Sequence, residues 1–223
     1  MATATNRVSK NGKAPKNEAE GQVVPLYELQ TRTIEVPVVE LSPLLMHKFS
    51  EKAKKAIEDK QQQKADKARE AKDPEAEFRG AMYLMPGAAA DSDHPDVGFP
   101  ASGFKNAIVS ACRFVDGIPM TRVRGALFIL ADAAGLVRIN YGEVRMREDA
   151  VRVGGKGKGT GTLDLRYRPE FLDWSATLRV QYNAAVISPE QIVNLINIAG
   201  FSIGIGDYRP ERDGENGRFA VKR

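Results

Sequence analysis

Five glycines and three arginines fall within GFSIGIGDYRPERDGENGRFAV, residues 200–221. Gly200, Gly204, Gly206, Gly214 and Gly217 give a backbone that can bend repeatedly or lie close against another surface, because glycine has no Cβ to hold that surface off. Arg209, Arg212 and Arg218 set guanidinium groups along the same stretch, and a guanidinium fork matches the oxygens of a phosphate. The chemistry these residues support is non-covalent: bare main chain and cations set against another surface. Read alone, the same glycines also describe a β-hairpin with a long loop. A second cluster carries hydrolytic residue types. Asp91, Asp93 and Asp96 stand with His94 in DSDHPD, and carboxylates in one loop can hold a divalent cation or activate water. An acidic loop with a proline is equally an ordinary turn, and no nucleophile elbow, Walker loop or dinucleotide fingerprint accompanies it. The chain therefore reads as a non-enzyme that needs no cofactor and no metal.

Composition narrows the setting. A chain of 223 residues that is 42% hydrophobic can bury one ordinary core. Its formal charge of +4 and pI of about 9.1 permit a polyanionic partner without requiring one. Cys112 is the single cysteine and His47 and His94 the two histidines, so an internal disulfide and a cysteine-rich zinc site are excluded and two histidines argue against a histidine-based metal site. The first residues lack the apolar segment of a signal peptide and no run is long enough to span a bilayer. These features predict a soluble cytoplasmic protein with no membrane partner.

Residues 1–22 are polar and basic, which predicts a disordered arm, and residues 23–223 then form a single domain. TRTIEVPVVEL (31–41) reads as a strand, with Pro37 implying an edge or a bend. Residues 51–78 are rich in Ala, Lys, Glu and Gln with few apolar positions, which predicts a charged insertion that is helical or disordered. AMYLMP (81–86) reads as a short strand. Phe104, Ala107, Ile108, Ala111, Cys112 and Val115 recur at helical spacing with Ser102 placed as N-cap. RGALFILADA (124–133) reads as a buried strand. Residues 143–168 form a basic hairpin, two strands around the tip GGKGKGTG (154–161) that carries Lys156 and Lys158. SATLRVQYN (175–183) alternates as a half-buried strand. SPEQIVNLINIAG is a helix with Ser188 as cap, Pro189 at the first position, Gln191 completing a capping box and Gly200 as its stop. A last strand follows at GRFAV (217–221). This order gives an α+β class, an RRM or ferredoxin-like βαββαβ core with insertions.

The glycine stretch, directly after a strand and a well-capped helix, resembles the C-terminal signature of the repeat-associated RNA-binding superfamily, whose members form the backbone of CRISPR effector complexes. FPASGFKNAIVSACR (99–113) is similar to that family's motif at its first helix. Pro100, Ser102, Lys105 and Arg113 occupy matching positions, and Asn106 stands where the family often has glycine. LSPLLMHKF (41–49), with His47 and Lys48, resembles the family's apolar segment leading into the binding cleft, and the basic hairpin looks like its protruding thumb. The resemblance implies an RRM-like fold in which glycines let main chain approach phosphates, and in which Ser102 and the first-turn amides bind an anion beside Lys105. It also implies single-stranded RNA or DNA as partner, self-assembly into an oligomer or filament along the strand, and other complex subunits as neighbours. The implied contacts are Ser102, Lys105, Asn106, Arg113, Lys156, Lys158, Gly204, Gly206, Arg209, Arg212 and Arg218. For base stacking, Phe99, Phe104, Tyr167, Tyr182, Tyr208 and Phe219 are available, most of them also fit for a core. Some members of the family carry, in the loop before the first helix, an aspartate that cleaves bound target RNA, so the resemblance alone implies one alternative, a metal-dependent ribonuclease using the 91–96 loop. A viral structural or assembly protein that binds no nucleic acid is the other alternative.

Overall fold

The computed structural model describes residues 28–49, 51–62, 72–89, 91–132, 134–154 and 161–222. In chain order the first half contains β1 (Thr31–Glu40), β2 (Leu44–Leu45), α1 (Glu51–Gln61), α2 (Pro74–Gly80), β3 (Val97–Pro100), α3 (Ala101–Ala111) and α4 (Met120–Ala126). The second half contains β4 (Leu127–Leu130), β5 (Leu136–Ile139), β6 (Glu143–Gly154), β7 (Gly161–Leu172), β8 (Ser175–Asn183), α5 (Pro189–Ile198) and β9 (Phe219–Val221).

Alternation along β1 and β8 separates two faces. Val36, Val38, Leu178 and Val180 are buried, while Thr33, Glu35, Pro37, Thr177 and Arg179 face outward. With β4 and β9 these strands make an antiparallel sheet of order β4-β8-β1-β9. Helices α3 and α5 contribute Phe104, Ile108, Ile192 and Ile196, all fully buried, to the core beneath it. Antiparallel sheets with helices packed on them make the fold α+β. Pro37 sits where this geometry tolerates it. Its carbonyl accepts from Lys222 N at 2.9 Å on the β9 side, and β9 pairs only with Val38–Glu40, so the missing N–H falls where the partner strand has ended.

The second sheet, β2-β7-β6, is dominated by a hairpin in register from Glu143↔Leu172 to Gly154↔Gly161. Its tip, with Lys156 and Lys158, lies outside the described residues, as do the 1–22 arm and residues 63–71 of the insertion. β3 and β5 form a small third sheet. The far end of the insertion is firmly placed. Asp73 caps α2 by accepting from Ala76 N at 3.1 Å, Phe78 is buried, and Lys72 reaches Asp164 of the hairpin at 2.8 Å.

Several local expectations change. RGALFILADA is strand only from Leu127, because α4 continues through Ala126 with Val123 and Ala126 buried, and a short apolar run does not by itself separate a helix end from a strand. AMYLMP makes a single bridge, Leu84 with Val97, in place of a strand. Ser102 does not cap α3. Strand β3 runs straight into the helix, so Pro100 holds the cap position without a side-chain bond, and Ala101 N donates instead to Gly135 O at 3.0 Å. Gly200 does not stop α5: the helix passes through it into a π-helical turn, Ala199–Ile203, and ends at Gly204 with φ 68°. What Gly200 provides is contact, since a Cβ there would overlap the Phe219 carbonyl. By contrast, the Ser188–Gln191 capping box and Pro189 stand where the sequence puts them. Among the described residues no helix is long and apolar enough to cross a membrane.

Candidate nucleic-acid interface

The glycine stretch is stitched to the segment that follows β1. Leu41 N and Ser42 N donate to Arg218 O, Gly217 N donates to Pro43 O at 2.7 Å, and Asp207 N donates to Leu45 O at 2.8 Å. The Ser42 hydroxyl donates to Glu215 O at 2.6 Å. This close pairing explains two glycines directly. Gly206 has φ 78°, and a Cβ on it would stand 2.5 Å from Leu45 O; Gly217 has φ 66°, and a Cβ would overlap Ile205 O. Both need the left-handed region and both lie against the protein's own backbone. The stretch also holds Asp213 at φ 58° and Tyr208 at φ 49°; residues other than Gly, Asn and Asp, Tyr208 among them, seldom adopt this conformation.

Beside this stretch lies a groove of about 290 Å³ between α3 and residues 203–211. Asn106, Gly204, Gly206 and Arg209 line it, with His47 at one wall and the Phe99 ring among its apolar surfaces. Its charges are already paired. Glu211 accepts from Arg113 at 2.6 Å and from Arg209 at 2.9 Å. Burial pushes the Glu211 carboxyl up, but the two arginines outweigh burial and hold it below the usual range. Arg209 also donates to Gly206 O at 3.0 Å. His47 Nδ1 lies 3.2 Å from Asp207 Oδ2. That hydrogen bond, with the charge of Arg168, overcomes burial and brings the Asp207 carboxyl down to about 2.

Arg168 ties the groove to the hairpin. It is 2% exposed, pairs with Asp207 and, at 2.6 Å, with Asp149, and lies 4.8 Å from the Tyr208 ring centroid. The register puts Arg145, Arg147, Asp149, Arg166, Arg168 and Glu170 on one face of the hairpin. Arg147 bridges Asp149 and Glu170, each at 3.1 Å, and Arg145 reaches Glu170 at 2.7 Å. Much of the hairpin's basic character is thus neutralised internally.

The sequence-predicted residues divide into groups. Asn106, Gly204, Gly206 and Arg209 share the groove, and Arg113 joins them through Glu211. Ser102, Lys105, Arg212 and Arg218 do not line it. Lys105 turns to β4, its ammonium 3.7 Å from the Phe128 ring centroid, which separates it from the phosphate position expected beside the loop. Arg218 covers Phe201 at 4.9 Å, and Arg212 is exposed in the 3₁₀ turn Pro210–Arg212. Lys156 and Lys158 lie outside the described residues. In the acidic loop Asp96 pairs with Arg138, and His94 stacks on Tyr141 at 4.2 Å. No group of three or more metal-ligating side chains forms among the described residues. Of the candidate stacking rings, Phe99, Phe104, Tyr182 and Phe219 are buried in the core, Phe99 at the groove's edge. Sequence reasoning missed Asp207 and Phe128, and took Arg168 only as one of the cations of the basic hairpin. Only the position of Asp207 inside the glycine stretch offered a signal.

No family model matches the chain, and no curated protein matches it by sequence. Among solved structures it is similar to a chain of the Type III-B Cmr-beta complex bound to cognate target RNA, with 11% identity and a TM-score of 0.47 over 86% of this chain and 59% of that one. It thus spans about three fifths of that neighbour. It is similar to Cmr6 from Pyrococcus furiosus at 10% identity and a TM-score of 0.44, over 87% of this chain and 100% of that one. A chain of a CRISPR RNA-guided surveillance complex matches at 8% identity and a TM-score of 0.33, over 81% and 65% of the two.

Proposed function

We propose that this protein is a non-enzymatic binder of single-stranded nucleic acid, RNA in the first place, that grips the phosphate backbone and assembles as a repeated subunit along the strand, like the backbone subunits of CRISPR effector complexes. One observation carries the reading. The two segments that resemble the superfamily, 99–113 and 200–221, are far apart in the chain yet face each other across one groove, joined by Arg113–Glu211–Arg209. The third similar segment, 41–49, underlies the same loop and supplies His47. The four-stranded sheet supports the finer fold reading. Taking β1, β4, β8 and β9 as the four strands and α3 and α5 as the two helices gives βαββαβ with spatial order 4-1-3-2.

In the groove a phosphate would take the place of the Glu211 carboxylate between Arg113 and Arg209. Glu211 then competes with the ligand, so its removal strengthens binding. The test is fluorescence anisotropy of a labelled single-stranded RNA. Glu211→Gln is expected to tighten binding by about fivefold or more and Arg209→Ala to weaken it by about tenfold, the range of charge-assisted hydrogen bonds. Absence of RNA binding by the intact protein, or variants that both bind like it, overturns the reading.

A further inference from the structure

The groove holds cations that already have carboxylate partners; the opposite side of α3 holds two that do not. Lys105 on α3 reaches the edge strand β4 at Phe128, and Arg124 stands in the last turn of α4, three residues before β4 begins at Leu127. Neither has a carboxylate partner among the described residues. They are close enough that the charge of Arg124, after burial, lowers the Lys105 pKa. Two neighbouring cations without an anion repel each other and raise a local positive potential. Beside them on β4 stands Phe128, which is 47% exposed although its strand neighbour Leu127 is fully buried, and Arg124 is itself exposed. Lys105 sits over this ring.

The sheet register adds polar groups at the right place. Phe128 lies opposite Gln181, and Gln181 opposite Thr33, so the three share the outer face in one row across β4, β8 and β1. Phe128 and Thr33 are exposed and Gln181 is partly so. The next row contains Glu35, which is turned to Arg179 at 3.8 Å. An exposed ring, an amide and a hydroxyl in line, flanked by a pair of unneutralised cations, match the parts of one nucleotide: a flat base, its polar edge and a phosphate. A purely apolar partner would leave both cations buried without an anion.

We infer that this sheet edge is a second nucleotide site, separate from the groove, in which Lys105 and Arg124 hold a phosphate, Phe128 stacks the base, and Gln181 and Thr33 bond its edge. The site rests on the nucleic-acid reading above and extends it, giving the strand a path from the groove around α3 to the sheet.

The experiment uses the full chain and two fluorescent probes, an oligouridylate and an abasic oligomer of equal length. Lys105→Ala and Arg124→Ala are expected to weaken binding of both probes by several-fold. Phe128→Ala is expected to weaken the oligouridylate by about tenfold, the loss seen when a stacking ring is removed, and to leave the abasic probe unchanged. Phe128→Leu keeps the apolar bulk without a flat ring and serves as the second variant, with a thermal melt on each to confirm folding. Should Arg209→Ala weaken binding while the Lys105, Arg124 and Phe128 variants bind both probes like the unaltered protein, the second site is wrong and the groove reading stands. Equal loss of both probes with Phe128→Leu removes the stacking role. Failure of the unaltered protein to bind either probe removes both readings together.

Discussion

Asp207 meets His47 on one side and the buried Arg168 on the other, and its folded-state carboxyl titrates at about 2 against an ordinary value of 3.8. The sign follows from linkage: the unfolded chain takes up the proton first, so the contribution of Asp207 is complete above pH 3.8 and is lost as pH falls from 3.8 through about 2. Comparing urea unfolding of the protein with Asp207→Asn across that window should show a constant gap at neutral pH that closes in acid; a gap independent of pH would contradict it. Gly206 bears a different constraint. With φ at 78° and Leu45 O 2.5 Å from where a Cβ would stand, Gly206→Val should cost roughly 2–4 kcal/mol. For a chain of this size that lowers Tm by about 5–15 °C, read in a thermal melt. Such a variant therefore reports on folding before it reports on binding, and the glycine's neighbour is protein backbone whether or not a phosphate comes near.

At the scale of elements, the hairpin β6–β7 and the glycine stretch act as one unit because Arg168 joins them. Removing the buried guanidinium leaves Asp149 with Arg147 alone and Asp207 with His47 alone, so Arg168→Met should destabilise by about 1–3 kcal/mol. Arg168→Lys should rescue little, since one ammonium cannot replace a planar fork reaching Asp149 and Asp207 at once. A urea denaturation series measures both, and a double-mutant cycle with Asp207→Asn should be clearly non-additive. The hairpin itself was readable from its alternation, as was α5 from Ser188, Pro189 and Gln191, because those signals are local. α3 was readable from its apolar spacing, though its cap was not: the preceding strand supplies the backbone and no turn intervenes. The ionic network was not readable. Arg168 and Arg166 look alike in RYR, and only the loop folding back beneath β7 makes one buried and the other not. In the same way the glycines announced close approach without saying to what, since Leu45 and Gly206 become neighbours only when the sheet assembles. Asn106, Gly204, Gly206 and Arg209 meet at the groove because α3 packs against the turn that follows α5. Lys105 went elsewhere because its position on α3 turns it toward β4.

Over the whole molecule the formal charge of +4 understates how unevenly cations are available. Those nearest the groove are held by Glu211, Asp207 and Asp149, while Arg122, Arg124, Lys105 and Arg212 have no carboxylate partner among the described residues. A protein organised in this way should bind single strands through exchange of ion partners, with each phosphate engaged releasing counterions. The logarithm of affinity should then fall with the logarithm of salt by about 0.7 for each phosphate neutralised on a single strand. Unrelated homopolymers should give similar slopes, because cations and main-chain amides carry no base code. Arg209→Ala should flatten the slope by about one phosphate, and Glu211→Gln should steepen it, since it frees the two arginines that Glu211 now occupies. If copies also line up along the strand, the number bound at saturation should rise stepwise across a series of oligouridylates of increasing length, and binding should become steeper once two copies fit. Analytical ultracentrifugation of the complexes at two salt concentrations reads stoichiometry directly. A single copy on every length, together with a slope that the two groove variants leave unchanged, would remove both the proposed assembly and the groove as its contact with the strand.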